Sequence, residues 1–278
     1  MRQVTLPCGT RVACLGQGTW HMGERGCDPK AEADALRLGL DLGLTLIDTA
    51  EMYADGGAER VVAQAIAGRR DEVFLVSKAY PQNASRARAK RACEASLQRL
   101  GTDHLDLYLL HWRGAVPLAE TVEAFEALKA EGKILRWGVS NLDPDDMAEL
   151  GAVPGGGACS VNQVLYNPEF RGIEFDLLPQ AKASGMPIMA YSPLGQGGAL
   201  LRNRALLAVA ARHAATPAQV ALAWALRHQT IIAIPKAATP QHITANAQAA
   251  ELVLTPPDLA EIDATFPPPR RPTPLAML

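Results

Sequence analysis

Short, unbroken apolar runs alternate along this chain with longer stretches whose apolar residues recur at helical spacing. The runs are Thr45–Ile47, Val73–Ser77, Leu105–Leu110, Ile134–Val139, Cys159–Val161, Pro187–Tyr191 and Ile231–Ile234. Helical spacing occupies Lys30–Leu42, Ala58–Ala67, Ser85–Leu100, Leu118–Ala130, Pro144–Leu150, Ile173–Ala183, Asn203–His213, Pro217–His228 and Thr239–Ala250. Unbroken runs suit strands covered on both faces, as in a parallel sheet with helical crossovers. Ahead of them, Val4–Leu6 and Arg11–Cys14 flank Pro7-Cys8-Gly9-Thr10 and read as a β-hairpin. A short strand at Gly16–Gln17 brings the count to eight, each followed by a helix. The pattern predicts an α/β fold, a (β/α)8 TIM barrel with an N-terminal hairpin, forming one domain over residues 1–278. The rival is a doubly wound sheet, but its phosphate-binding fingerprint is missing: Gly16–His21 and Gly195–Leu200 both begin G-x-G and both lack the final glycine. Pro267–Leu278, rich in proline, cannot continue a helix and is expected to run over the surface.

Composition narrows the function classes. With 278 residues, 48% of them hydrophobic, the chain can bury a sizeable core. Lys and Arg number 27 against 29 Asp and Glu, a near balance that gives no electrostatic basis for nucleic-acid binding. No apolar run approaches the roughly 20 residues that span a bilayer. The N-terminal MRQVTLPCGTRV lacks the apolar stretch of a secretory signal. The five cysteines, Cys8, Cys14, Cys27, Cys93 and Cys159, are odd in number and contain no C-x-x-C pair. Reduced thiols, no metal site and a cytoplasmic location are the expectation.

Barrel chemistry gathers at the C-terminal ends of the strands. Three runs end in an ionisable residue: LTLI at Asp48, VFLVS at Lys78 and LDLYLL at His111. Tyr53 follows Asp48 in the next loop. Alone, each has an ordinary structural explanation; at successive strand ends they converge on one mouth. A phenol with a pKa near ~10 is a poor acid at neutral pH unless its phenolate is stabilised. An ammonium does this, and a carboxylate keeps that ammonium charged and aimed. A neutral imidazole can orient a carbonyl oxygen. The combination suits reversible reduction of a carbonyl to an alcohol, with a nicotinamide cofactor as hydride source.

These residues lie in motifs that resemble the aldo-keto reductase family over essentially the whole chain. GLTLIDTAEMYADG from Gly43, VSK at Val76–Lys78, LDLYLLHW at Leu105–Trp112 and GVSN at Gly138–Asn141 resemble its signatures in order. NQV at Asn162–Val164, AYSPLGQG at Ala190–Gly197 and IPKA at Ile234–Ala237 continue the series. The resemblance implies a barrel that binds extended NADPH without a dinucleotide-binding domain, in agreement with the missing fingerprint. It implies Tyr53 as general acid, Lys78 lowering its pKa, Asp48 pairing with Lys78, and His111 orienting the substrate. It places Ser140, Asn141 and Gln163 on the nicotinamide amide and Tyr191 against the ring. Ser192, Pro193, Leu194, Gln196 and Gly197 follow the pyrophosphate, and Gly18, Thr19 and Trp20 close over it.

At the adenine end, Ile234, Pro235, Lys236, Ala237, His242 and Asn246 occupy the family's binding positions. Ala237 and His242 replace its usual hydroxyl and guanidinium. Lys236 keeps one charge for the 2′-phosphate, so an NADPH preference that tolerates NADH is expected. The short segments after His111 and Phe266 point to an open substrate site walled by Trp20, Tyr80 and Trp112 around Tyr53 and His111. Met52 is a further candidate for that wall. IDTAEMYADGGAE with RGIEFDLLPQ is similar to a bacterial subgroup of the family associated with methylglyoxal reduction. A monomer acting on a small carbonyl compound, with neither nucleic acid nor membrane as partner, is therefore expected. A nucleotide-binding sensor on the same barrel is one alternative. A lyase using Lys78 as Schiff-base nucleophile is another, disfavoured because Asp48 would keep that lysine charged.

Overall fold

The computed structural model describes all 278 residues. Strands β1 (Gln3–Thr5) and β2 (Arg11–Ala13) form the antiparallel hairpin, with Val4 opposite Val12. The parallel sheet runs in sequence order through β3 (Gln17–Gly18), β4 (Leu46–Asp48), β5 (Phe74–Ala79) and β6 (Leu107–Leu110). It continues through β7 (Trp137–Ser140), β8 (Asn162–Leu165), β9 (Ile188–Tyr191) and β10 (Ile231–Ala233). Backbone bonds from Gly16 to Ala233 (2.9 Å), Ala233 to Cys14 (2.9 Å) and Gly18 to Pro235 (3.0 Å) join the last strand to the first and close the barrel.

The crossovers are α1 (Pro29–Asp41), α2 (Gly57–Ile66), α3 (Arg86–Leu100), α4 (Leu118–Ala130), α5 (Pro144–Ala152) and α6 (Leu177–Ala183). Two helices, α7 (Arg204–Arg212) and α8 (Pro217–Ala225), separate β9 from β10; α9 (Pro240–Ala249) and α10 (Pro256–Thr265) follow. Each strand residue alternates between two cores. Ile47, Leu75, Tyr108, Leu110, Val139 and Val164 pack outward against the helices. Leu46, Val76, Leu107, Leu109, Val161, Met189 and Ile232 fill the barrel interior, and Val4, Leu6 and Val12 of the hairpin join them at its bottom. Both faces are therefore apolar, which is why the runs carry no polar alternation.

Three elements depart from the sequence reading. Strand β8 lies just beyond Cys159–Val161, because Asn162 and Gln163 are strand residues. Asn162 faces out and donates its amide to the Leu142 carbonyl at 2.7 Å, while its Oδ1 is buried without a partner. Helix α10 escapes the pattern because it opens on Pro256-Pro257. Proline is well placed at a helix start, where no N–H partner is needed, and Thr255 with Asp258 forms a capping box. Ile173–Ala183 divides into a 3-10 turn at Gly172–Glu174 and the shorter α6.

One contact reaches from β3 into the helical layer. The Gln17 amide passes outward and donates to the Leu36 (3.1 Å) and Leu44 (3.0 Å) carbonyls. Gly39 makes room for it, since a Cβ there would lie 2.0 Å from Gln17 Oε1. On the other side, Arg171 and Arg227 flank the buried Trp224 ring at 5.0 and 3.7 Å, and both donate to Glu174. Arg171 also reaches Asp263 and the Phe266 carbonyl, so this clasp ties α8 and the end of α10 to the loop before α6. No helix is long and apolar enough to cross a membrane.

Candidate active site

The inward positions at the top of the barrel turn polar. One pleat beyond Leu46, Val76 and Leu109 stand Asp48, Lys78 and His111. One pleat beyond Gly138, Val161 and Met189 stand Ser140, Gln163 and Tyr191. Gly138 adds no side chain to its inward layer, where Val161 and Leu109 fill the space: a Cβ would lie 2.7 Å from the Val161 carbonyl and 2.9 Å from Leu109. The strand-end residues expected from the sequence thus share one rim through the period-two pleat.

Lys78 is fully buried, and its three protons have three acceptors. Nζ lies 2.6 Å from Asp48 Oδ2, 3.0 Å from the Thr49 carbonyl and 3.1 Å from the Tyr53 hydroxyl. Burial disfavours its charge, but Asp48 and Tyr53 outweigh this and raise its pKa. The second Asp48 oxygen accepts from Gln163 Nε2 at 2.7 Å, and Thr19 Oγ1 donates to the Asp48 carbonyl at 3.0 Å. Burial raises the Tyr53 pKa, with Lys78 pulling against it, so the phenol sits above its usual range. The lysine therefore opposes burial without cancelling it.

His111 meets the Tyr53 ring edge-on at 5.8 Å. Burial, reinforced by the Lys78 charge, lowers its pKa from 6.5 to about 2, so the ring is neutral at working pH. Its Nδ1 is buried and unpartnered, leaving Nε2 as the nitrogen open to the mouth. Trp112 packs on His111 at 4.9 Å, and Tyr80 meets Trp112 edge-on at 5.9 Å, giving an aromatic wall. The half-buried Trp20 ring stacks on His21 at 4.1 Å.

Beside the catalytic cluster lies a chain of amides and hydroxyls. Tyr191 donates to Asn141 Oδ1 at 3.0 Å, Asn141 Nδ2 to the His111 carbonyl at 3.2 Å, and Ser140 to the Gln163 carbonyl at 2.8 Å. Asn141 and Ser192 adopt left-handed backbone (φ 57° and 45°), and Asn167 donates to the Ser192 carbonyl at 2.9 Å. Asparagine adopts this conformation readily, whereas for serine it is uncommon. Pro193 is buried and Leu194 half-buried, while Gln196 and Gly197 are exposed on a tight turn of positive φ. Ile234 and Pro235 are buried; Lys236 and His242 are exposed, and Ala237 is half-buried between them. Lys236 and His242 sit around the start of α9, where Thr239 caps the His242 N–H, and Asn246 is buried one turn on. Gly18 pairs with Lys236, so the loop opened by Gly18–Trp20 adjoins this end.

The C-terminal segment does not simply cross the surface. Leu275 packs on the outer core, and the Leu278 backbone lies against the Tyr191 hydroxyl. Burial pushes that hydroxyl up to about 12, with Leu278 acting the other way. Proline content gave no sign of this return to the mouth. The Gln163–Asp48 and Thr19–Asp48 bonds were equally invisible, because they join residues far apart in the chain. No three His, Cys, Asp or Glu side chains cluster to hold a metal.

Residues 14–266 match the model of the aldo/keto reductase family. Methylglyoxal reductase YeaE of Escherichia coli is 56% identical over 96% of this chain and 95% of its own length. Glyoxal reductase of Bacillus subtilis is 34% identical over 94% of this chain and 91% of its own. The crystal structure of an aldo/keto reductase from Klebsiella pneumoniae in complex with NADP and acetate superimposes with a TM-score of 0.98 at 52% identity, covering 100% of this chain and 99% of that one. The chain belongs to the aldo/keto reductase family.

Proposed function

We propose that this chain is an NADPH-dependent reductase of small aldehydes and ketones, methylglyoxal among them, working as a monomeric single domain over residues 1–278 in the cytoplasm. The observation that carries the reading is the Tyr53 hydroxyl 3.1 Å from a charged, fully buried Lys78 that is itself 2.6 Å from Asp48, beside a neutral His111. The 56% identity to a methylglyoxal reductase supports the substrate, and five unpaired cysteines accord with a reducing compartment.

The residues present fit a nicotinamide dinucleotide. Asn141, Ser140 and Gln163 offer amide and hydroxyl partners beside the half-buried Tyr191 ring, which presents a face for stacking. The α9 N-terminus with Lys236 offers N–H groups and a cation for a phosphate. Ser192, Leu194, Gln196 and Gly197 lie between these two ends. When bound, the reduced cofactor supplies hydride to the carbonyl carbon. His111 holds the carbonyl oxygen through its open nitrogen, and being neutral it cannot surrender a proton in competition with the acid. Tyr53 delivers its proton to that oxygen as negative charge develops. Lys78 stabilises the phenolate left behind, and Asp48 keeps the ammonium fixed. Trp112 and Tyr80 exclude water from one side.

The test is NADPH oxidation at 340 nm across small carbonyls with Tyr53→Phe as control. Methylglyoxal-dependent oxidation lost in the variant is expected. Tight NADPH binding without turnover of any carbonyl by folded enzyme would overturn the reading in favour of a sensor.

A further inference from the structure

Glu51 carries a charge that the reduction chemistry does not use. It lies inside the DTAEMY segment, between Asp48 and Tyr53, and is half-buried. Its Oε1 accepts the Tyr80 backbone N–H at 2.7 Å and Asn83 Nδ2 at 3.0 Å, bridging the loop after β4 to the loop after β5. No cation pairs with it. Lys78 is its backbone neighbour, with the Glu51 N–H donating to the Lys78 carbonyl at 3.4 Å, but the Lys78 ammonium is committed to Asp48, Thr49 and Tyr53. Tyr80, which Glu51 holds, is the outer member of the aromatic wall through its 5.9 Å contact with Trp112, and Trp112 rests on His111. The Tyr80 phenol registers the charge: after burial, Glu51 and Asp55 are what raise its pKa.

Resting on the reductase reading above, we infer that Glu51 is a positioning and specificity residue. It fixes the Tyr80–Trp112 wall and, through its unneutralised carboxylate, selects neutral carbonyl compounds over those bearing a carboxylate of their own. A fixed charge at the edge of a low-dielectric mouth disfavours a like charge entering it. A neutral glutamine would keep the acceptor that Tyr80 and Asn83 require while removing the repulsion.

The experiment compares kcat/KM for 4-nitrobenzaldehyde and 4-carboxybenzaldehyde, a neutral and an anionic aldehyde of nearly the same shape, in wild type, Glu51→Gln and Glu51→Ala. Electronic differences between the aldehydes cancel when their ratio is compared across variants. The ratio favouring the nitro compound is expected to narrow roughly tenfold in Glu51→Gln, through KM for the carboxylate. In wild type it is expected to narrow as ionic strength rises to about 0.5 M, where the charge is screened. Glu51→Ala is expected to raise KM for both aldehydes, with Glu51→Gln restoring that of the nitro compound. A ratio unmoved by Glu51→Gln would overturn the inference, as would one unmoved by salt in wild type, a result available even if the variant fails to fold. Reduction of methylglyoxal but of neither aromatic aldehyde would also overturn it while leaving the reductase reading intact. Failure to reduce any carbonyl would overturn the reductase reading itself.

Discussion

Tyr53 and His111 have opposite relations to solvent protons. The phenol must give up a proton that burial makes it keep, so its usefulness depends on Lys78. Removing the hydroxyl in Tyr53→Phe is expected to lower kcat by about 10²-fold or more while leaving the NADPH dissociation constant near wild type. Stopped-flow turnover alongside fluorescence titration checks both. His111, held neutral down to about pH 2, should contribute no ionisation to the kcat profile between pH 5 and 8. Its pKa is lower folded than unfolded, so between about pH 2 and the unfolded value near ~6.5 the unfolded chain binds a proton that the folded chain refuses. Stability should fall as pH drops through that window. His228, lowered to about 4 by burial, adds to the loss. Thermal melts of His228→Asn from pH 7 to 4 should therefore show a shallower decline than wild type. At the other end of the site, Lys236→Ala is expected to raise KM for NADPH several-fold with little change for NADH, as steady-state kinetics with each cofactor will show.

Among the elements, the barrel strands were legible because their two faces serve two apolar cores, and three strand ends because Asp48, Lys78 and His111 stop their runs. Strand β8 was misplaced because Asn162 and Gln163 are polar within the strand, and a pattern of apolar residues stops before them. Residues Asp48, Lys78 and His111 could be placed on one rim from the sequence. Their distances, and the Gln163 and Thr19 bonds that brace Asp48, depend on strand register and could not. The clasp around Trp224 was also hidden, its members lying on α8, on α10 and in the loop before α6. Glu174 there receives two guanidinium groups in a half-buried setting. Its pKa is lowered by Arg171, Tyr166 and Arg227 against the opposing effect of burial. Glu174→Ala leaves Arg227 without a carboxylate and Arg171 with Asp263 alone, and should cost about 3 kcal/mol in urea unfolding. It should also hasten proteolysis after Phe266, whose carbonyl Arg171 holds.

For the whole molecule, the hairpin and the catalytic rim lie at opposite ends of one apolar interior. Leu6→Ala, at the hairpin end, should lower stability by about 3 kcal/mol through an unfilled cavity, with KM for carbonyl and cofactor unchanged. Chemical denaturation and steady-state assays together check that separation.

The separation has a leak, and it runs through Gly39. The residue lies on an outer helix, touches no position proposed for ligand or chemistry, and would pass in a mutational survey as a harmless site for alanine. Yet a methyl group there occupies the space of the Gln17 amide. Gln17 leads directly into Gly18, Thr19 and Trp20, and Thr19 holds Asp48. Crowding at the periphery would thus be felt as a looser grip on the nucleotide and a misaligned acid. A laboratory selecting for altered cofactor use could recover substitutions on this helix without seeing why, because the lever and its load sit in different layers of the protein.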